Sequence, residues 1–243
     1  ALALHQLQES KELSDQHLLE YLKTSPYESV RLEAFLLLQQ RHSDDFVSAI
    51  ENAADDNFEL LQRFAVNALI KNGDPRLANT LAGKLCDVNT SARVAFNALQ
   101  GTQFFSRQNL LPAVEDRLRQ VAPYVVQPET YAKGVLKNAE NYAGRWNEEI
   151  EKLCKGEMSH KRALTQINFM RIYCPPYLLP QVAGYAATLK DDELLLPLLE
   201  ALGWHRQAYT SAQVVPVVEK LMKDTSHSEQ VRQEALKTYK RLK

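Results

Sequence analysis

The sequence Arg63-Phe-Ala-Val-Asn-Ala-Leu69 returns along the chain, with two residues exchanged, as Arg93-Val-Ala-Phe-Asn-Ala-Leu99. Five of the seven positions are identical at an offset of 30 residues. A second match, at an offset of 34, joins Glu200-Ala-Leu202 to Glu234-Ala-Leu236. Similar segments at a nearly constant interval are the signature of repeat architectures. The sequence therefore predicts a chain built from one supersecondary unit used several times.

Each period holds two stretches with helical spacing of apolar residues. Near the end of the chain, Val231, Ala235, Tyr239 and Leu242 step by four, four and three, which places them on one helix face. Glycine is only 8 of 243 residues, which disfavours a turn-rich all-β fold. We predict an all-α, right-handed α–α superhelix of about seven helix pairs. The predicted pairs are 14–24 with 26–41, 43–53 with 57–71, 75–86 with 89–101, 107–122 with 128–141, 143–155 with 158–174, 177–190 with 191–204, and 211–224 with 228–242. A short helix is predicted before them at 3–11, and one domain is expected over 1–243.

Capping residues support this division into helices. Ser25 before Pro26 and Glu28 has the pattern of an N-cap, a first-turn proline and a capping-box glutamate. Asp74 before Pro75 is expected to start another helix in the same way. The other expected helix starts are Asn89 or Thr90, the acidic run Asp191 to Glu193, and either Ser226 or Ser228.

The last period resembles a HEAT repeat. That family places a proline early in the first helix, an aspartate in the turn, and Val-Arg followed by Ala-Leu in the second helix. The matching residues are Pro216, Asp224, Val231-Arg232 and Ala235-Leu236. The resemblance covers most of the chain from about residue 14 and implies a stack of helix pairs. It is lost around 123–160, where an irregular repeat is expected.

The resemblance also assigns structural roles. Arg31, Arg63, Arg93 and Arg232 recur at one place in the repeat, and the family pattern implies that each bonds a turn aspartate. Asp56 is the expected partner of Arg63, and Asp87 that of Arg93. The repeated alanines, Ala65 and Ala95 among them, should be buried where second helices approach. Bulky core residues are expected at Phe35, Phe64, Phe96 and Tyr239.

Charge and cysteine content exclude several classes of protein. The net charge of −1 provides no global basic field, so nucleic acid is not expected as the partner. Residues 1–50 carry a net charge of −4 (four basic and eight acidic), and residues 201–243 carry a net charge of +4 (eight basic and four acidic). This gradient indicates either solvated helix faces or a polarised surface.

Three scattered cysteines suggest no disulfide framework and favour a reducing, cytoplasmic setting, with export or membership of a longer chain left open. No stretch is apolar enough for a membrane span. The cysteines are Cys86, Cys154 and Cys174, each in an apolar helical context.

Motifs for catalysis and cofactor binding are missing from the sequence. It has no glycine-rich phosphate loop, no nucleophile elbow and no paired histidines at zinc-ligand spacing. We therefore expect no catalytic residues, no metal and no organic cofactor. The favoured function is a non-enzymatic scaffold that binds a protein partner on the concave surface formed by the second helices. Enzymes on the same fold remain an alternative, such as the HEAT-like alkylpurine DNA glycosylases and phycobilin lyases, as does a regulatory segment of a larger protein.

The candidate partner-binding residues are Arg63, Asn67, Arg93 and Asn97. Each asparagine follows an arginine by four positions and shares its helix face, so the four residues form a polar ladder at the repeat period. The alternative is that they bond within the stack. Trp146 and Trp204 are further candidates, because an aromatic beside arginine can stack on a ligand. A continuous positive cleft at either tryptophan would favour nucleic acid, and a mixed groove would favour a protein.

Overall fold

The computed structural model describes residues 13–243, and this part of the chain is α-helical with no strand. The helices form seven successive pairs, which confirms the predicted all-α, solenoid-like class. The predicted helix at 3–11 lies outside the described residues. The pairs are α1 (Asp15–Thr24) with α2 (Glu28–Gln40), α3 (Phe46–Ala54) with α4 (Glu59–Asn72), α5 (Ala78–Cys86) with α6 (Ala92–Gly101), α7 (Arg107–Val121) with α8 (Pro128–Tyr142), α9 (Asn147–Cys154) with α10 (His160–Tyr173), α11 (Leu179–Ala186) with α12 (Asp192–Gly203), and α13 (Ser211–Lys223) with α14 (Glu229–Leu242).

Several helices begin later than the sequence predicts. Pro75–Leu77 and Pro176–Leu178 form single 3₁₀ turns, so α5 and α11 start after them. Gly144 has a φ of +72°, a left-handed conformation that glycine adopts without strain, and it separates α8 from α9. Tyr142 and Trp146, four residues apart in sequence, therefore do not share a helix face.

The helix caps are partly those expected. Asp191 caps α12 by accepting the backbone N–H groups of Glu193 and Leu194 at 2.9 and 3.4 Å, as predicted. Ser228 is the cap of α14, and Ser226 instead donates to Asp224.

Three other cap predictions are wrong. Ser91, rather than Asn89 or Thr90, caps α6 by accepting from the backbone N–H of Val94. Ser25 does not cap α2, because Tyr27 is extended at φ −96°, ψ 116° and the helix begins only at Glu28. No α-helix begins at Asp74, since a 3₁₀ turn follows it.

The described residues fall into two compact units. Unit 1 contains the described chain up to Ile70 together with Pro75–Thr102 and Gln108–Glu140. Its core is formed by apolar side chains from α1 to α7, with Leu18, Phe35 and Ile50 fully enclosed. Helix α8 differs, since Ala139 is its single buried residue. The single domain expected over 1–243 stays a prediction.

Unit 2 contains Lys71–Asp74, Gln103–Arg107 and Asn141–Lys243. Its core is one continuous apolar cluster that runs from Ile150 in α9 to Ala235 in α14. Every helix of this unit contributes to the cluster, and α12 is the most deeply enclosed, with Leu195, Leu198 and Leu199 at 0% exposure. Positive φ values at Gln127, Gly144 and Gly156 mark the irregular stretch around 123–160. Within residues 13–243, none of the helices combines the length and apolarity of a membrane span.

Polar bonds connect neighbouring repeats in both units. In unit 1, Arg31 of α2 makes a bidentate ion pair with Asp56, the turn aspartate of the following pair, with both side chains about one-tenth exposed. Lys84 of α5 lies 3.0 Å from Asp55 of that same turn. The expectation that Asp56 bonds Arg63 is therefore wrong, because Asp56 is bound by the preceding repeat.

In unit 2 the same kind of bond joins the last two pairs. Asp192, the first residue of α12, accepts hydrogen bonds from His227 at 2.7 Å and from the backbone N–H of Ser228 at 2.9 Å. Thr238 of α14 donates to the carbonyl oxygen of Leu199 at 2.8 Å. The apolar packing between repeats is thus supplemented by buried or half-buried hydrogen bonds that fix their register.

The repeated alanines are not equally buried, and this generates a stability prediction. Ala65 is fully buried, as expected, but Ala95 is only half-buried. We expect Ala65→Leu to overpack the stack and lower the free energy of unfolding by about 1–3 kcal/mol. Ala95→Leu should cost less than about 1 kcal/mol. Equal losses in urea unfolding of the two variants would contradict this difference in packing.

The bonds of Asp192 generate a pH prediction. Hydrogen bonds from Ser228 and His227 lower the pKa of Asp192 from 3.8 to about 2. A depressed pKa in the folded state stabilises the fold above the unfolded pKa, and the stabilisation is lost as pH falls through the folded pKa. Asp192→Asn should cost about 1 kcal/mol at neutral pH, a value reduced for its partial exposure. The difference from wild type should shrink between about pH 4 and about pH 2. A difference that stays constant in unfolding titrations over this range would contradict the assignment.

Candidate functional site

The first half of the candidate partner surface is one face of α4. Leu60, Arg63, Phe64 and Asn67 occupy positions three and four residues apart, so they project on the same side of the helix. Leu60 and Phe64 are 37% and 38% exposed, and Asn67 is exposed. The prediction that Phe64 is a bulky core residue is therefore wrong.

The second half is the equivalent face of α6. Arg93 is exposed, Asn97 is half-buried, and Phe96 between them is 58% exposed, which overturns its predicted role in the core. The two helices meet at their C-terminal ends. A Cβ atom added at Gly101 would lie 2.7 Å from the Ile70 side chain, so a larger residue there would force that side chain to shift. We call the exposed faces of α4 and α6 together, at Leu60, Arg63, Phe64, Asn67, Arg93, Phe96 and Asn97, the second-helix surface.

The polar groups of the second-helix surface lack the internal partners that a purely structural role requires. Within residues 13–243, Arg63 and Arg93 form no ion pair, and the Nε of Arg63 is buried without a hydrogen-bond partner. Asp87, the expected partner of Arg93, instead accepts from the backbone N–H of Asn89. The amides of Asn67 and Asn97 likewise have no bond in the described chain.

The two other recurrent arginines behave differently. Arg31 bonds a turn aspartate, Asp56, as the HEAT-like pattern implies, but this aspartate belongs to the next repeat. Arg232 bonds Glu229 of its own helix. The ladder is therefore divided. Its outer members, Arg31 and Arg232, are engaged in structural bonds, whereas Arg63 and Arg93 are not.

Trp146 lies in a mixed aromatic pocket of unit 2. Its ring stacks on Tyr173 with centroids 6.5 Å apart and planes 16° from parallel, and Phe169 packs on Tyr173. The pocket encloses about 430 Å³ and includes both Arg145 and Glu149. This mixture of charges does not form a positive cleft.

Trp204 lies in a second cleft of unit 2, and this one is positive. The cleft encloses about 550 Å³, and among residues 13–243 no acidic side chain lines it. Trp204 itself is 62% exposed, at the residue directly after α12. We name it the Trp204 cleft. Its lining residues are Lys71, Arg171, Ile172, Gly203, Trp204, His205, Arg206, Gln207 and Arg241.

Of the three arginines of the Trp204 cleft, sequence reasoning considered only Arg206 beside Trp204 and missed the other two, although a signal for them exists. Arg171, Arg206 and Arg241 follow one another at intervals of 35 residues. Arg171 and Arg241 lie in the last turns of α10 and α14, and Arg206 lies three residues after the end of α12. The second helices of successive pairs end at the same edge of a stack. Lys71, in the last turn of α4, joins them. A search for single cations at the repeat period would have identified the three arginines as a series, although not the cleft that they share.

His160 forms one cluster with metal-ligand chemistry. Its two ring nitrogens lie 3.3 Å from Asp191 and 3.4 Å from Glu193, and the three ligand atoms fall within 4.8 Å of one another. These side chains are exposed or half-exposed, and Asp191 is already the cap of α12. The simplest account is a bond between α10 and α12, and the expected independence of folding from metal stays a prediction.

The three cysteines are free thiols. Cys86 and Cys174 are buried, whereas Cys154 is half-buried. Burial raises the pKa of Cys86 and of Cys154 to about 11, which leaves both as unreactive thiols at neutral pH.

Comparison with protein families and with curated proteins finds no match to this sequence. Among solved structures, human deoxyhypusine hydroxylase in complex with glycerol is 14% identical, with a TM-score of 0.35 over 99% of each chain. The designed armadillo repeat protein YIII(Dq)4CqI is 18% identical, with a TM-score of 0.31 over 94% of this chain and 99% of its own. At these TM-scores and sequence identities, neither structure indicates the function of this protein or the location of its functional site.

Proposed function

We propose that this protein is a non-catalytic helical-repeat binding module that holds an extended, acidic segment of a protein partner on the second-helix surface. The supporting observation is the exposure of Phe64 and Phe96 beside arginines and asparagines that have no bonded partner within residues 13–243. Aromatic residues and arginine are enriched at protein interfaces, and a few such residues carry most of the binding energy.

The chemistry of the second-helix surface fits such a segment. A side-chain amide offers both a donor and an acceptor, so Asn67 and Asn97 match the hydrogen-bonding groups of an extended backbone. Arg63 and Arg93 provide charge for carboxylates of the partner and can bind them in bidentate fashion. The HEAT-like pattern of the last repeat is in keeping with this function, since stacked helix pairs present a long, preformed surface for recognition.

We expect a selection from random peptides to find the ligand class directly. Peptides of about a dozen residues, displayed on phage, are selected on the wild-type protein and counter-selected on the Asn67→Ala, Phe96→Ala, Asn97→Ala triple variant. The recovered peptides should be enriched in Asp and Glu. Their affinity should fall about tenfold or more with Phe96→Ala alone, as for truncation of a hot-spot residue.

Phe169→Ala is the matched control, because Phe169 is 52% exposed on unit 2 and lies outside the second-helix surface. This control should leave peptide affinity unchanged. Both phenylalanine variants should keep the wild-type free energy of unfolding within about 1 kcal/mol, as exposed positions do. Peptides that bind the triple variant as well as wild type, or a triple variant that is unfolded while Phe96→Ala binds normally, would contradict the proposal.

A further inference from the structure

The charges of the Trp204 cleft are only partly neutralised by the protein. Arg171 is bonded to Glu200 at 2.5 Å, and Arg241 lies 3.7 Å from Glu234, which also receives Lys237 at 3.2 Å. Arg206 and Lys71 form no ion pair within residues 13–243. Four cations thus line the cleft while two carboxylates, neither of them a lining residue, oppose them. The cleft carries a local positive excess on a chain whose net charge is −1.

Interaction with helix dipoles explains some of these cations and not others. Lys71, Arg171 and Arg241 stand in the last turns of their helices, where a cation is favoured by the partial negative charge of the C-terminus. Arg206 lies three residues beyond the end of α12, where this effect has faded. The helix dipole therefore does not explain why Arg206 stands beside an exposed tryptophan.

The same cleft has an apolar wall. Trp204 is 62% exposed and Ile172 is 71% exposed, so both present large apolar surfaces to solvent next to the cations. An indole with one face available is a stacking platform for any planar ring, and such stacking is worth about 1–3 kcal/mol for a nucleobase. The combination selects a ligand that has both a flat ring and a negative charge.

The loop that carries Trp204 and Arg206 is held in place by the rest of unit 2. Burial lowers the pKa of His205, so its ring is neutral, and its Nε2–H donates to the Met170 carbonyl oxygen at 2.6 Å. The backbone N–H of Tyr209 donates to the Asn72 carbonyl oxygen at 2.9 Å. At Gly203, an added Cβ would lie 3.2 Å from Arg241 Cδ, so the absence of a side chain leaves room for the arginine. A preformed site of this kind loses less entropy when it binds.

From these observations we propose that the Trp204 cleft is a binding site for a nucleoside phosphate. The base stacks on Trp204, and the phosphates are bound by Arg206 and Arg241, whose planar guanidinium groups suit phosphate oxygens. The volume of about 550 Å³ is that of a small-molecule pocket rather than of a continuous track for a nucleic-acid strand. This site belongs to unit 2 and shares no residue with the second-helix surface, so the two proposals fail or hold independently.

The proposal is tested by titration of the purified protein with ADP. Trp146 and Trp204 are the only two tryptophans, so a Trp146→Phe background assigns the fluorescence to Trp204. We expect saturable quenching with a Kd below about 100 µM, confirmed by calorimetry on the wild-type protein. Adenosine, which lacks the phosphates, and pyrophosphate, which lacks the ring, should each bind at least about tenfold more weakly than ADP.

Two single substitutions and one control complete the test. Arg206→Ala and Trp204→Ala, both at exposed positions, should each weaken ADP binding about tenfold or more while circular dichroism stays that of the wild type. Trp204→Ala is measured by calorimetry. Arg119→Ala, which removes an arginine side chain that is 75% exposed in unit 1, should leave ADP binding unchanged.

Three results would overturn the proposal. The first is the absence of saturable ADP binding up to about 1 mM, and the second is equal loss of binding with Arg119→Ala. The third is tighter binding of a single-stranded oligonucleotide or an acidic peptide than of ADP, which would assign the cleft to a macromolecular partner instead.

Discussion

A pair of short helices cannot enclose its own apolar stripe, and the rest of this structure follows from that constraint. In unit 2 the core is therefore a continuous cluster, to which α9 and α14 both contribute although they are distant in sequence. The polar bonds follow the same rule, since Arg31 and Asp192 each bond the neighbouring repeat. Because stacking uses one side of each second helix, the opposite side and the helix ends remain available, and both proposed sites lie there.

Much of the fold could be predicted because the repeat leaves a direct trace in the sequence. The Arg63–Leu69 and Arg93–Leu99 segments fix the period, and the spacing of Val231, Ala235 and Tyr239 fixes the helical face. The helix starts were harder, because several residues near a boundary are capable of capping. Ser226 and Ser228 are both plausible caps, and only the competing bond of Ser226 to Asp224 decides between them.

The sites were less predictable, since a repeat pattern gives the position of a residue but not its partner. Asp56 and Arg63 fit the HEAT-like spacing, yet Asp56 is bound by Arg31, 25 residues earlier, and Arg63 has no acidic partner in the described part of the chain. Exposure was similarly hidden, because Phe35 and Phe96 look alike in sequence although the first is buried and the second exposed. The arginines of the Trp204 cleft recur at 35 residues and carry no family motif, so only the structure shows that they share one cleft.

The central claim is that each helix pair owes its stability to its neighbours, and the C-terminal pair tests it most directly. A peptide spanning residues 207–243 contains α13 and α14 but lacks α12, to which Thr238 and the apolar face of α14 bind. Circular dichroism during heating should show weak helicity and no cooperative transition for the peptide, and a cooperative transition for the full chain. A cooperative melt of the isolated peptide near the midpoint of the full chain would contradict the account.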